Sequence, residues 1–186
     1  MTKDAVNIVW FKRDLRFIDN EALFHAHQSG LPLLLLYIFE PSVMNYDDAD
    51  VRHWRFIYES IQELQKKLNP SNKKIYFFHN EAEFVFSEIS KTFEVKTIFS
   101  HQEIGNKITF DRDIRMQQIF QENNIIWIEF QLHGVIRKLK SRQNWDKRWE
   151  EIMRANPKIL KESELKTIEL TSDFYDVLKG EKLSDK

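Results

Sequence analysis

Residues 31–39 read LPLLLLYIF, a nearly continuous apolar run of strand length. A strand of that kind needs cover on both faces, the situation of a central strand in a parallel sheet. Four further runs carry a strand signature: VNIVWF at residues 6–11, KIYFFH at 74–79, VKTIFS at 95–100 and IIWIEF at 125–130. β-Branched and aromatic side chains dominate them, as a pleated, packed surface favours. Helical spacing fills the gaps. Residues 20–29 start on a cap from Asp19 or Asn20 and stop at Gly30. Over residues 50–68, Trp54, Ile57, Ile61, Leu64 and Leu68 recur at three- and four-residue steps and share one face. Ala82, Val85, Phe86, Ile89 and Phe93 do the same over residues 81–93, and residues 109–122 form a fourth helix with a less regular stripe. The alternation predicts an α/β fold, Rossmann-like: a five-stranded parallel sheet with right-handed crossovers and helices on both faces.

Such sheets bind ligands at the C-terminal strand ends, where the strand order reverses. That selects the loops at residues 12–19, 40–50, 101–106 and 131–134, and Asn80. Four scattered glycines, at 30, 105, 134 and 180, cannot make a G-x-G-x-x-G fingerprint or a G-x-x-x-x-G-K-[ST] phosphate loop. The absence of cysteine excludes disulfides, thiolate nucleophiles, Cys-ligated zinc and iron–sulfur clusters. Six histidines, at 25, 27, 53, 79, 101 and 133, offer no H-E-x-x-H and no i,i+4 pair, so no metal site is expected. No G-x-S-x-G elbow is present. No apolar run approaches the ~20 residues that span a bilayer, and nothing after Met1 resembles a secretory core. A cytoplasmic protein without membrane contact is the expectation.

Twenty-eight basic residues against 29 acidic leave a net charge of −1, without the excess that releases counterions from phosphate. Residues 137–142 (RKLKSR), followed by Trp145 and Trp149, interleave cations with aromatics as single-strand platforms do. The balanced charge of the chain favours the plainer reading, a solvated helix over residues 145–153 with its tryptophans packed on the domain. From Pro157 onward the sequence is charge-rich with scattered apolar residues and no compact block. The organisation expected is therefore an α/β domain over residues 1–135 and a C-terminal extension and interdomain linker over residues 136–186.

The most specific stretch is WFKRDLRFIDNEAL, residues 10–23. A structural account exists for it: Arg13 pairs with Asp14, Asp19 caps a helix, and Leu15 and Leu23 staple the turn. The stretch also resembles the opening motif of the DNA photolyase/cryptochrome family. Three collinear segments share the resemblance: residues 31–41, which end in an aromatic-acid-Pro step; RHWRFIYESI at 52–61; and SHQE at 100–103 followed by Arg112 and Asp113. Together they cover about the first 130 residues. After strand five, HGVIRKLKSRQNW (133–145) stands where many photolyases carry an Asp and a Pro-rich stretch, which marks a divergent subgroup.

The resemblance implies an N-terminal light-harvesting-chromophore domain of a deoxyribodipyrimidine photolyase/cryptochrome-like flavoprotein. In that family the α/β domain often holds an antenna, a folate (methenyltetrahydrofolate), a deazaflavin or FMN, which passes excitation to FAD in a larger helical domain, here absent. The flavin then splits pyrimidine dimers in DNA or signals blue light. The implied partners are that FAD-binding helical domain and, through the full-length protein, damaged DNA; the chain alone is expected to be inactive, with no catalytic residue of its own. The competing readings are a blue-light-signalling cryptochrome fragment, a nucleotide-binding or stress-type α/β module, and a scaffold without ligand. Excitation transfer needs an aromatic ligand in fixed orientation, so an apolar lining with a few polar anchors is expected. The candidates are Lys12, Arg13 and Asp14 after strand one, Phe39 and Glu40 after strand two, Arg52 and Phe56 on helix two, and His101, Glu103 and Asn106 after strand four. Arg13 and Arg52 suit a phosphate or an ionised ring, and Glu103 suits ring N–H groups.

Overall fold

In the computed structural model, which describes residues 3–137 and 139–180, five parallel strands stand in the order β3-β2-β1-β4-β5. Met1 and Thr2, Lys138 of the basic segment and residues 181–186 of the expected linker lie outside the described residues. The strands are β1 (Ala5–Phe11), β2 (Leu33–Phe39), β3 (Ile75–His79), β4 (Glu94–His101) and β5 (Ile126–Phe130). All five fall within a residue or two of the apolar runs. Every residue of β2 is buried, as its unbroken hydrophobicity requires of a strand flanked on both sides.

Strand alternation sorts the core into two layers. Val6, Ile8 and Trp10 of β1, with Leu34, Leu36 and Ile38 of β2, face one side. That side is covered by α4 (Ala82–Thr92) and α5 (Lys107–Glu122), through Val85, Phe86, Ile89, Met116 and Phe120. Val9 and Phe11, with Leu33, Leu35, Tyr37 and Phe39, face the other. There α1 (Glu21–Gln28) contributes Ala22, Leu23 and Ala26, and α3 (Val51–Leu68) contributes Ile61, Leu64 and Leu68. A single turn, α2 (Pro41–Met44), leads from β2 toward α3.

Local chemistry fixes the ends. Asn20 caps α1 by accepting from Leu23 N at 2.9 Å, and Gly30, with φ +79°, turns the chain out of the helix. Asp50 caps α3 through Arg52 N. Asn7 is a buried polar residue on β1; its amide donates to Ser29 Oγ and accepts from Thr97 N, filling the register shift between β1 and β4. β5 is an edge strand with Ile126 and Ile128 exposed, so its apolar run is only half used.

The segment beyond Pro157 differs from expectation. Leu160, Leu165, Leu170 and Leu178 are all buried in the two layers. Lys158 exchanges hydrogen bonds with Asp19, Leu33 pairs with Thr167, Leu170 N donates to the Tyr76 hydroxyl, and Gly180 bridges to His79. A short helix, α7 (Ser172–Leu178), places Phe174 against Phe93 and Tyr175 against Tyr76 and Phe78. The segment is a strap on the domain. The nine-residue helix α6 (Trp145–Met153) forms where the sequence places it, with Trp145, Trp149, Ile152 and Met153 exposed.

Candidate functional site

Because β1 leads to β2 on one side and β3 crosses to β4 on the other, the strand order reverses at the β1/β4 boundary. A half-open crevice of about 660 Å³ sits there, within the range of small-molecule sites. Its lining comes from the ends of β1 and β2, the first turns of α3, the loop after β4 and α5. The apolar part includes Leu15, Tyr37, Ile38, Val43, Trp54, Phe56 and Ile57; the polar part includes Lys12, Arg13, Arg16, Glu40, Asp48, His53, Glu103, Asn106 and Arg112.

Most of these charges are spent on one another. Lys12 is buried with Nζ 2.8 Å from Asp113 Oδ2 and 4.6 and 4.8 Å from the ring centres of Trp10 and Trp127. Burial lowers its pKa against the pull of Asp113. Arg112 binds Glu40, Glu103 and Asp113, and lies over the Trp10 ring at 4.8 Å. Glu103 is held unevenly: Oε1 accepts from Arg13 Nε at 2.8 Å, Ile104 N at 3.0 Å and Gly105 N at 2.7 Å, while Oε2 has one longer contact, with Arg112 at 3.4 Å. Burial would raise the Glu103 pKa, but Arg13 and Arg112 more than offset it and hold the group ionised. A Cβ at position 105 would meet the Arg13 guanidinium and Glu103, so a larger residue there would displace the Arg13–Glu103 pair.

Asp14 folds the motif loop onto itself. It accepts from Lys12 N, from Asn20 Nδ2 and from buried His101, whose Nδ1 faces Oδ2. Burial opposes ionisation, and the His101 contact together with the Lys12 amide still hold its pKa low. Asp48 accepts both oxygens' worth of contact from the Asn106 amide, at 3.0 Å each.

Glu40 is the exception among the lining carboxylates. Oε1 accepts from Arg112 Nη1, but Oε2 is buried without a hydrogen-bond partner. Glu40, Glu81 and Glu83 bring carboxylate oxygens within 4.8 Å of one another. Burial pushes Glu40 up to about 7, against the opposing pull of Arg112 and with Glu81 and Glu83 adding to the rise. The other two acids have partners of their own, Glu81 in Ser42 and Glu83 in Arg115.

Of the ten residues expected from sequence, the crevice brings together Lys12, Arg13, Asp14, Glu40, Phe56, Glu103 and Asn106. Phe39, Arg52 and His101 stand outside its lining. Phe39 is the last inward position of β2 and packs its ring on Tyr37 and Phe77 in the core. Arg52 is exposed and folds back on its own helix cap, Asp50, at 2.9 Å. His101 lies behind Asp14. Glu103, expected as an acceptor for ring N–H groups, lines the crevice with Oε1 engaged by Arg13, Ile104 N and Gly105 N and Oε2 in one 3.4 Å contact with Arg112.

The DNA photolyase family profile matches residues 7–154. The chain belongs to that family. It corresponds to the N-terminal α/β domain of photolyases and cryptochromes, not to a free-standing nucleotide-binding module. The deoxyribodipyrimidine photo-lyase of Vibrio cholerae is 32% identical over 129 residues, 67% of this chain and 27% of that protein. Cryptochrome DASH of Synechocystis is 32% identical over 102 residues, 52% of this chain and 21% of that protein. The chain thus spans about a quarter of the length of these curated relatives. Among solved structures, the class III photolyase of Agrobacterium tumefaciens superposes with a TM-score of 0.71 at 20% identity, covering 100% of this chain and 38% of that one. The archaeal photolyase of Sulfolobus tokodaii, described with two FAD molecules and an implied novel light-harvesting cofactor, gives 0.70 at 21%, covering 95% and 42%. At those identities the likeness is one of fold.

Several lining residues of this photolyase-family domain escaped the sequence reading. The sequence patterns place Tyr37 in a buried strand and Trp54 and Ile57 on a helix face, and single out His53 and Arg112 only as members of motifs. Trp54 and Ile57 share the apolar stripe of α3 with Ile61 and Leu64, so periodicity alone assigns all four to packing. The first two, partly buried against the same core layer, also line the crevice. No helix of the described residues is long and apolar enough to cross a membrane.

Proposed function

We propose that this chain is the antenna domain of a photolyase or cryptochrome-type flavoprotein and that its strand-end crevice holds the light-harvesting chromophore. The observation that carries this reading is the open crevice of about 660 Å³ at the topological switch point, with an apolar α3 wall and a small set of polar groups. Neither nucleophile nor acid–base pair is needed for excitation transfer; rigid placement is, and the interlocked ion pairs of Lys12, Glu103, Arg112 and Asp113 supply it. Arg13 spends Nε on Glu103 while its side chain stays half exposed at the mouth. Its terminal nitrogens suit a phosphate, as on FMN, or an ionised ring oxygen of a deazaflavin.

In this reading the antenna serves FAD held by a helical domain, and the whole protein splits pyrimidine dimers in damaged DNA. Titration of the chain with FMN, 8-hydroxydeazaflavin and methenyltetrahydrofolate, followed by chromophore fluorescence, tests it. One of the three is expected to bind, and Ala49→Trp, which fills the crevice from its rim, is expected to abolish that binding without unfolding the domain. Absence of binding by all three to the wild-type chain defeats the reading.

A further inference from the structure

Three carboxylates meet where β2 and β3 end. Glu40 follows β2, while Glu81 and Glu83 stand at the start of α4, outside the lining of the crevice. A backbone bond from Asn80 N to Phe39 O (3.0 Å) ties the two turns together. Oxygens of the three side chains lie within 4.8 Å of one another. Acids at helix starts usually serve as caps, but neither Glu40 nor Glu81 makes a side-chain cap bond. Ser42 instead donates from N and Oγ, at 2.8 Å each, to the two oxygens of Glu81, and Arg115 Nε holds Glu83 at 2.9 Å. The group is fixed in place from outside itself. A second, independent observation concerns Glu40, which is 3% exposed: Arg112 engages Oε1, and Oε2 is buried without a hydrogen-bond partner. Native structures satisfy nearly all such atoms, and each one left over calls for a reason, a bound ion among them.

We infer that Glu40, Glu81 and Glu83 bind one hard divalent cation, of the Ca2+ or Mn2+ kind, with Glu40 supplying Oε2 and water completing the shell. Oxygens around one Ca2+, at about 2.3–2.6 Å from it, stand at most ~5 Å apart, so the observed spacing needs little closure. An all-carboxylate set suits Ca2+, Mn2+ and Mg2+ rather than softer metals. Glu81 and Glu83 are only partly buried, so the ion enters from solvent past them. Once bound, it offsets the repulsion that Glu81 and Glu83 exert on Glu40, keeps Glu40 ionised opposite Arg112, and clamps the start of α4 to the end of β2. Histidine and cysteine spacing cannot reveal such a site, because its ligands are carboxylates on two turns distant in the chain. The inference is independent of the chromophore reading of the crevice.

The test titrates Mn2+ into the full chain, first stripped with chelator, and reads the free ion by electron paramagnetic resonance. One ion per chain is expected, with a Kd of about 0.1–1 mM, the weak end of oxygen-ligand sites, and Ca2+ is expected to compete for it. Glu81→Gln and Glu83→Gln are each expected to weaken binding about tenfold or more. Glu122→Gln, which removes an exposed acid at the other end of α5, is expected to leave it unchanged. On the wild type, Mn2+ broadening of amide NMR signals is expected first at residues 40–43 and 80–84. Absence of saturable binding at millimolar Mn2+ overturns the inference. So does saturable binding that folded Glu81→Gln and Glu83→Gln both retain, or broadening centred elsewhere, which marks an ion on scattered surface acids. The broadening arm needs no variant, so a folding failure in either substitution leaves the inference open to refutation.

Discussion

Glu40 carries a conflict between burial and charge. Its pKa rises from an ordinary 4.5 to about 7 because burial outweighs the attraction of Arg112 on α5, and because Glu81 and Glu83 repel it from the start of α4. A carboxyl group whose folded pKa is raised binds its proton more tightly folded than unfolded. Its contribution to stability is therefore complete below pH 4.5, falls as pH climbs to about 7, and is level above that. The slope from this one group reaches about 1.4 kcal/mol per pH unit at most. Denaturant melts at pH 4.5 and 7.5 are expected to show Glu40→Gln gaining on the wild type as pH rises; a constant difference between the two proteins contradicts the burial argument. At Asn20 the expected effect has a different origin. Its side chain accepts from Leu23 N and donates to Asp14 and Arg16, so Asn20→Ala is expected to lose about 1–2 kcal/mol in the same melts. Sequence offered Asp19 and Asn20 alike as the cap, with Asp19 in the structural account of the motif; Asn20 is the residue that caps, while Asp19 takes a positive φ of 54°. The direction of Phe39 was not legible either, because a residue at a strand's end can turn inward or toward the ligand, and only the pleat decides.

Elements separate into those that periodicity reveals and those it cannot. The five strands were readable as short β-branched and aromatic runs, and α1, α3 and α4 by their caps and apolar stripes, with α5 showing the less regular stripe. The strap from Pro157 was not, because its buried leucines have no common period. Leu160 and Leu165 meet the α1/α3 layer, while Leu170 and Leu178 meet the α4/α5 layer. A segment that crosses from one layer to another shows its core residues singly, and charged neighbours make it look like tether. Leu178 is 0% exposed. Leu178→Ala is expected to cost about 2–4 kcal/mol, read as a fall in the urea midpoint; a change under ~0.5 kcal/mol means the strap is not docked. Crevice and strap are also separable: that substitution lies on the side of β3, away from the lining, so ligand affinity is expected to hold at temperatures well below the melt.

For the whole molecule, the division of labour follows from what the domain contains. Its interior charges are locked in pairs, its lining has no nucleophile with an adjacent base, and its crevice suits binding. Under the proposed antenna reading, in which the flavin belongs to another domain, illumination of the isolated chain with dimer-containing DNA is expected to give no repair by chromatographic assay, with or without bound antenna. Family membership was legible from four short collinear motifs because these residues build the loop of Asp14, the end of β2, α3 and the loop after β4, the same elements that frame the crevice. Which side chains face the ligand was only partly legible, since Glu103 and Arg112 have sequence neighbours as suitable as themselves and only the fold decides which charges neutralise each other. The most direct measurement is a crystal structure of the chain grown with the chromophore that binds. The account places its ring in the strand-end crevice beside Trp54 and Ile57. A ring bound elsewhere on the domain, with the crevice closed by its own side chains, contradicts it.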